Sequence, residues 1–235
     1  MYYFLNDQMA YAKSGIAGGT PQYLLQMDDG LSVEENIKNT FLNPTSSLFE
    51  EPENLLKQEV REPALYNAII TAIATGASRM SEISTKVGED TSVCATYLKS
   101  LKALGLIRKE TPYGEKASRK SIYSIDDNMF RFWYRFVPEN NSVIVRGAAD
   151  LAYKRIEPYL SDYMGKVFEE ICKQYLWRLL LNGESPVEFK ELGRWWGTDH
   201  LLAARRKLIL WVYRIRTPPC LVSATGQMKK LICLF

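Results

Sequence analysis

The sequence predicts a mainly α fold, and three observations lead to that expectation. Apolar side chains recur at helical spacing in most stretches up to residue 181. Glycines and prolines interrupt the pattern where helices are expected to begin or end. Strand-like sequence before residue 182 is predicted only between residues 106 and 125.

Composition narrows the function classes. The 235 residues are 46% hydrophobic and 24% charged, as in globular proteins, and no apolar run approaches membrane-spanning length. The opening residues lack the pattern of a signal peptide, so we expect a cytoplasmic chain without membrane contact. One histidine, His200, and four scattered cysteines exclude sites that need two histidines or a C-x-x-C pair. No metal ligand set is therefore predicted.

Residues 1–62 are predicted to be helical. Ser32 and Glu35 have capping-box spacing, which places a helix start there. The Asn43-Pro44 pair is expected to end that helix, and Pro52 to begin the next one.

The segment after residue 62 is the most informative. Its predicted elements, in chain order, are helices over 63–74, over 81–87 and from Thr91, then strands over 106–110 and 120–125. Gly105 stands where a helix-ending glycine is expected. Three helices followed by a hairpin are typical of a winged helix-turn-helix domain, here residues 63–127.

In DNA-binding domains of this kind the third helix enters the major groove. Residues 91–125 contain seven basic and two acidic side chains, a local excess that favours contact with phosphates. The candidate DNA-binding residues are Ser92, Ala95, Thr96, Lys99, Lys102, Arg108, Lys109, Lys116, Arg119 and Lys120. The alternative is that the domain only packs against other domains and these charges are solvated.

Residues 128–199 are predicted to be helical. The aromatic run from Phe130 to Val137 is expected to be core, and 138–141 to be a loop. Two helices are predicted, over 148–160 and 163–181. Glu169-Glu170, the paired carboxylate of the second helix, is expected to be a solvated edge.

Residues 200–235 differ in composition from the rest. They contain none of the 27 acidic residues but seven basic ones, so the remainder of the chain has a net charge of −4. The tail is also rich in apolar side chains, which a solvated nucleic-acid arm would avoid.

Several stretches resemble the C-terminal half of archaeal-type AAA+/STAND ATPases, in the order found in that family. They are GGTPQYL (18–24), NPTSSLFEEPENLLKQEVRE (43–62), DNMFRFW (127–133), YMGKVFEEIC (163–172) and GRWWG (193–197). The resemblance implies a helical lid remnant over 1–62, the winged helix over 63–127, and over 128–199 the helical start of a truncated α/β domain similar to PD-(D/E)xK nucleases. It also implies that a P-loop core, which would precede these residues, is missing.

The chain contains no G-x-x-x-x-G-K-[ST] motif, so no Walker A phosphate site is predicted. The family continues after its G-R-W-W-G string with acidic ligands and a lysine, which this sequence lacks. We therefore expect no catalytic residues and no cofactor; ATP and Mg²⁺ are implied only for full-length family members.

The genetic code connects the tail with the family. When the last base of each codon is read with the next two, the Trp211–Val212 junction must encode glycine and the Met228–Lys229 junction glutamate. The shifted frame can read the family strings I-D-I-V-G and G-E-C-x-W, although x, across Ala224-Thr225, cannot be lysine. We therefore predict a frameshift between Asp199 and Ala204, with residues 200–235 out of frame.

Three functions are compatible with these observations. The first is a non-catalytic C-terminal fragment of such an ATPase, with a winged helix for DNA binding or docking. The second is a regulatory subunit that joins a separately encoded ATPase core. The third is a free-standing winged-helix transcription regulator. The expected partners are DNA and that ATPase core.

Overall fold

The computed structural model describes residues 8–113, 120–185, 188–199, 204–214, 220–223 and 232–234, and it confirms a mainly α fold. The chain forms two compact units. Of the described residues, the first unit contains 8–110 together with 122–161, and the second contains 111–113, 120–121 and those from Asp162 onward. None of the helices described here is long and apolar enough to cross a membrane.

The first unit opens with four helices: α1 (Gln8–Ala17), α2 (Pro21–Leu24), α3 (Val33–Thr40) and α4 (Ser47–Glu59). The predicted capping box at α3 is confirmed: the Ser32 hydroxyl accepts from the Glu35 amide, and the Glu35 carboxylate accepts from the Ser32 amide at 2.8 Å. The prediction for Pro52 is wrong, because α4 begins at Ser47 and continues through that proline.

The next elements follow the predicted order. They are α5 (Pro63–Ala74), α6 (Met80–Val87), α7 (Thr91–Ala103), β1 (Ile107–Glu110) and β2 (Ile122–Ile125). The strands pair antiparallel, with Ile107 opposite Ile125. Gly105, after α7, has a φ of +74°, a backbone conformation that residues other than glycine rarely adopt. We call residues 63–127 the helix–hairpin segment.

Helix α8 (Asn128–Ile144) forms the core of the first unit, as the aromatic run predicted. Phe132 is fully buried, and its ring centroid lies 4.8 Å from that of Phe41 and 5.0 Å from that of Phe136. The indole of Trp133 donates to the carbonyl of Phe49 at 2.7 Å. The core therefore joins α8 to helices that precede it in the chain.

Two further sequence predictions are wrong. The predicted loop over 138–141 is part of α8, with Pro138 inside the helix. The two helices predicted over 148–160 and 163–181 form a single helix, α9 (Ala149–Leu181), which contains Pro158. Proline removes one helical hydrogen bond, but at Pro138 the burial of Phe136, Val137 and Asn140 outweighs that local cost.

The second unit contains a four-stranded antiparallel sheet in the order β3 (Phe189–Asp199), β4 (Ala204–Arg214), β5 (Cys220–Ser223) and β6 (Ile232–Leu234). Strand β3 lies in the range predicted to be helical, and its partner β4 lies in the compositionally foreign tail. The pairing of β3 with β4 shifts in register between Phe189 and Glu191 and again between Gly193 and Trp195. A β-prone apolar sequence pairs readily with an open strand edge, which is the physical reason for a strand in the tail.

Candidate nucleic-acid interface

Helix α7 has one buried face and one exposed face. Cys94, Leu98 and Leu101 are at most 1% exposed and pack into the first unit. The opposite face contains the five candidates that the sequence placed on it, and all five are exposed: Ser92, Ala95, Thr96, Lys99 and Lys102. We call these five residues the α7 stripe. Spacings of three and four residues place them along one side of the helix.

The side chains of the α7 stripe are small near the start of the helix and basic near its end. Ser92, Ala95 and Thr96 are short side chains that would let the helix backbone approach a groove closely. Within the part of the chain that the structure describes, neither Lys99 nor Lys102 is in an ion pair. Both ammonium groups are therefore available to phosphates.

The N-terminal end of α7 is acidic. Glu89 and Asp90 precede the helix and are both exposed. Carboxylates stabilise a helix N-terminus through the helix dipole, but they would repel phosphates at the end that reads bases in DNA-binding helix-turn-helix proteins. The charge of the candidate interface is therefore modest and lies toward the C-terminal half of the helix.

Arg108, a candidate on β1, forms ion pairs with two carboxylates of the same chain. Its guanidinium lies 2.8 Å from the Glu110 carboxylate and 2.9 Å from that of Asp126. Two carboxylates neutralise its charge, so the structure does not favour Arg108 as a phosphate ligand. Lys109 is exposed, with its Nζ 5.7 Å from the centre of the Tyr123 ring.

The loop between β1 and β2 contacts strand β3. The Tyr113 amide donates to the Arg194 carbonyl at 2.8 Å, and the Trp196 indole donates to the Lys120 carbonyl at 2.9 Å. Lys120 is exposed, whereas Lys116 and Arg119 lie outside the described residues. Tyr113 and Lys120 are thus both held by strand β3, and no local sequence signal predicted these contacts.

The carboxylate pair of α9 differs from the expected solvated edge. Glu169 is only 8% exposed, and one of its carboxylate oxygens lies 3.4 Å from an Arg194 guanidinium nitrogen. Burial and the neighbouring Glu169 raise the pKa of the Cys172 thiol to about 11, so this thiol is a poor nucleophile at neutral pH. Among the residues whose positions are described, no group of three or more His, Cys, Asp or Glu side chains could hold a metal ion.

Comparison with known proteins finds a family that matches part of the chain and one relative. Residues 133–205, from within α8 to the start of β4, match a family described as archaeal and bacterial proteins of unknown function. An uncharacterized protein of Methanocaldococcus jannaschii, MJECL04, is 33% identical over 183 residues, or 77% of this chain. The chain spans 41% of the length of that relative. No solved structure matches.

Proposed function

We propose that this chain corresponds to the non-catalytic part of an AAA+/STAND-type ATPase that follows the nucleotide-binding core. In this proposal residues 63–127 form a winged helix that binds DNA through α7. The resemblance of five ordered sequence stretches supports the ATPase origin, and the match over residues 133–205 is compatible with it.

The single observation that carries the DNA-binding proposal is the α7 stripe. It places two lysines, neither of them in an ion pair with a described residue, in line with Ser92 and Thr96 on a helix whose other face is buried. Lysines give sequence-independent affinity through phosphate contacts, whereas serine and threonine hydroxyls can hydrogen-bond to base edges. With only two such lysines, we expect weak binding that depends on salt concentration.

The first test is the double substitution Lys99→Gln/Lys102→Gln. Each phosphate contact contributes about 0.9 to the slope of log affinity against log salt concentration, so the variant should lower that slope by about 2. Fluorescence anisotropy with duplex DNA at several salt concentrations measures it. Arg61→Gln is the matched control, because it removes an exposed cation outside the stripe. A slope lowered equally by the control, or unchanged in the double variant, would contradict DNA contact by α7.

A second candidate function is docking between domains or to a separately encoded ATPase core. The contacts of Tyr113 and Lys120 with β3 favour docking. They engage the β1–β2 loop in contacts within the protein, whereas DNA-binding winged helices often bind DNA with this loop. Exposed apolar side chains beside the stripe, Val93 and Leu104, also suit a protein partner better than a phosphate backbone. Binding of the purified chain to such a core, abolished by Val93→Asp but not by Lys99→Gln, would select docking.

We further propose that this chain alone does not hydrolyse ATP and that residues 200–235 are out of frame. The absence of a Walker A motif and the acid-free composition of the tail support these two statements. The match to the family of unknown function ends at residue 205, next to the inferred shift. ATP turnover by the purified chain, free of contaminants, would contradict the first statement.

The frameshift is tested by resequencing genomic DNA around codons 195–236. We expect one inserted or deleted base between the codons for Asp199 and Ala204, beyond which the frame with the I-D-I-V-G string continues. An unaltered DNA sequence in a natural population, with the tail detected by mass spectrometry of the native protein, would show that the tail is genuine.

A further inference from the structure

A cleft of about 640 Å³ lies in the first unit, away from the α7 stripe. Helix α8 lines one side and the first half of α9 the other, and Thr75, at the C-terminal end of α5, closes one edge. Its volume lies within the range of small-molecule sites, which is roughly 300–1,000 Å³. The floor is apolar, with Phe136 and Ile156 both at most 4% exposed.

Three cationic side chains line this cleft: Arg135 from α8, and Lys154 and Arg155 from α9. Arg135 is partly buried, and its one hydrogen bond among the described residues is a long one, 3.4 Å from its Nη1 to the Ala74 carbonyl. In the described part of the chain, neither Lys154 nor Arg155 is in an ion pair or hydrogen bond. The cleft therefore presents two cations without a described ion-pair or hydrogen-bond partner, and a third that has one long hydrogen bond.

The acidic groups near the cleft offset only part of this positive charge. Glu139 is the one carboxylate among its described lining residues. Asp150, one helical turn before Lys154, is paired with Lys38 at 2.5 Å, and Lys154 makes a smaller contribution to the lowered pKa of the Asp150 carboxyl. Lys86 does not line the cleft, but its Nζ donates to the hydroxyl of Thr75, which does, at 2.6 Å.

We propose that this cleft binds the phosphate groups of a small phosphorylated molecule. Guanidinium groups bind phosphate oxygens through paired hydrogen bonds, and a cleft lined by charges of one sign concentrates anions. The site is independent of the proposed DNA-binding face, since it shares no residue with the α7 stripe. The cleft is too small for a duplex, which restricts the source of the phosphate to a small molecule.

The test uses pyrophosphate as the probe and isothermal titration calorimetry on the full chain. The double substitution Lys154→Gln/Arg155→Gln should weaken binding by about tenfold or more, because it removes two charge-assisted contacts. Glu139→Gln should strengthen binding about threefold by removing the one opposing charge. Arg61→Gln, an exposed cation outside the cleft, should leave the affinity unchanged.

A gain of affinity in Glu139→Gln cannot arise from misfolding, so this variant keeps the proposal testable even if the double variant is unstable. Pyrophosphate binding that is absent, or equal in all four proteins, would overturn the proposal. A parallel titration with duplex DNA distinguishes the source of the phosphate: DNA binding lost in the cleft variant, without pyrophosphate binding, would also overturn it.

Discussion

Replacing Phe132 with alanine is expected to lower the free energy of unfolding by about 3–5 kcal/mol, the usual cost of deleting a buried aromatic ring. Phe132 is 0% exposed and packs between Phe41 and Phe136, with ring centroids about 5 Å away on either side. Removing the ring leaves a cavity in α8 next to Phe41, the residue that follows α3. The surrounding rings can fill that cavity only in part. Urea denaturation followed by circular dichroism measures the change.

Leu25→Ala is the control for this prediction. Leu25 is a large apolar side chain of the same unit but is 86% exposed, so its truncation should change stability by less than about 0.5 kcal/mol. Similar losses in the two variants would mean that Phe132 is not part of a tightly packed core.

Gly193→Ala is expected to have the largest local effect in the second unit. A Cβ at this position of β3 would lie 2.4 Å from a ring carbon of Tyr113 and 3.0 Å from its Cβ. The tyrosine cannot avoid the contact by moving only the far end of its side chain. We expect a loss of about 1–3 kcal/mol, as for other overpacked positions. Hydrogen exchange of the Tyr113 amide, which donates to the neighbouring Arg194 carbonyl, should become faster.

Gly165→Ala is the matched control, since it adds the same methyl group to the same unit. Gly165 lies inside α9, and a Cβ there meets nothing within 4 Å. Alanine should stabilise the helix by up to about 1 kcal/mol, because glycine is the poorer helix former. If Gly193→Ala leaves the exchange of the Tyr113 amide unchanged, the contact between the β1–β2 loop and β3 is not formed in solution.

Local sequence signals predicted the helix–hairpin segment closely. The apolar spacing in α5 and α7 determines which faces can be buried, and it correctly placed the α7 stripe on the outside. Gly105 was expected to end α7, and it has a positive φ, as does Gly88 after α6. These features depend on neighbours three or four residues apart, which a sequence displays directly.

Prolines are where local signals failed. Pro52 and Pro138 suggested helix boundaries, yet each lies inside a helix. At Pro138 the reason is visible in the packing: Phe136 and Val137 before it and Asn140 after it are all buried. Continuing the helix keeps these side chains in the core, and that gain depends on partners elsewhere in the chain.

Contacts between residues far apart in the sequence set the electrostatic environment of the charged side chains. By itself, the sequence determined which face of α7 is exposed and which residues carry positive charge. Only the tertiary structure showed that Arg108 is neutralised by Glu110 and Asp126, and that Arg135, Lys154 and Arg155 line one cleft. The physical reason is that an electrostatic environment is set by groups close in space, and Arg108 and Asp126 meet only because β1 and β2 pair.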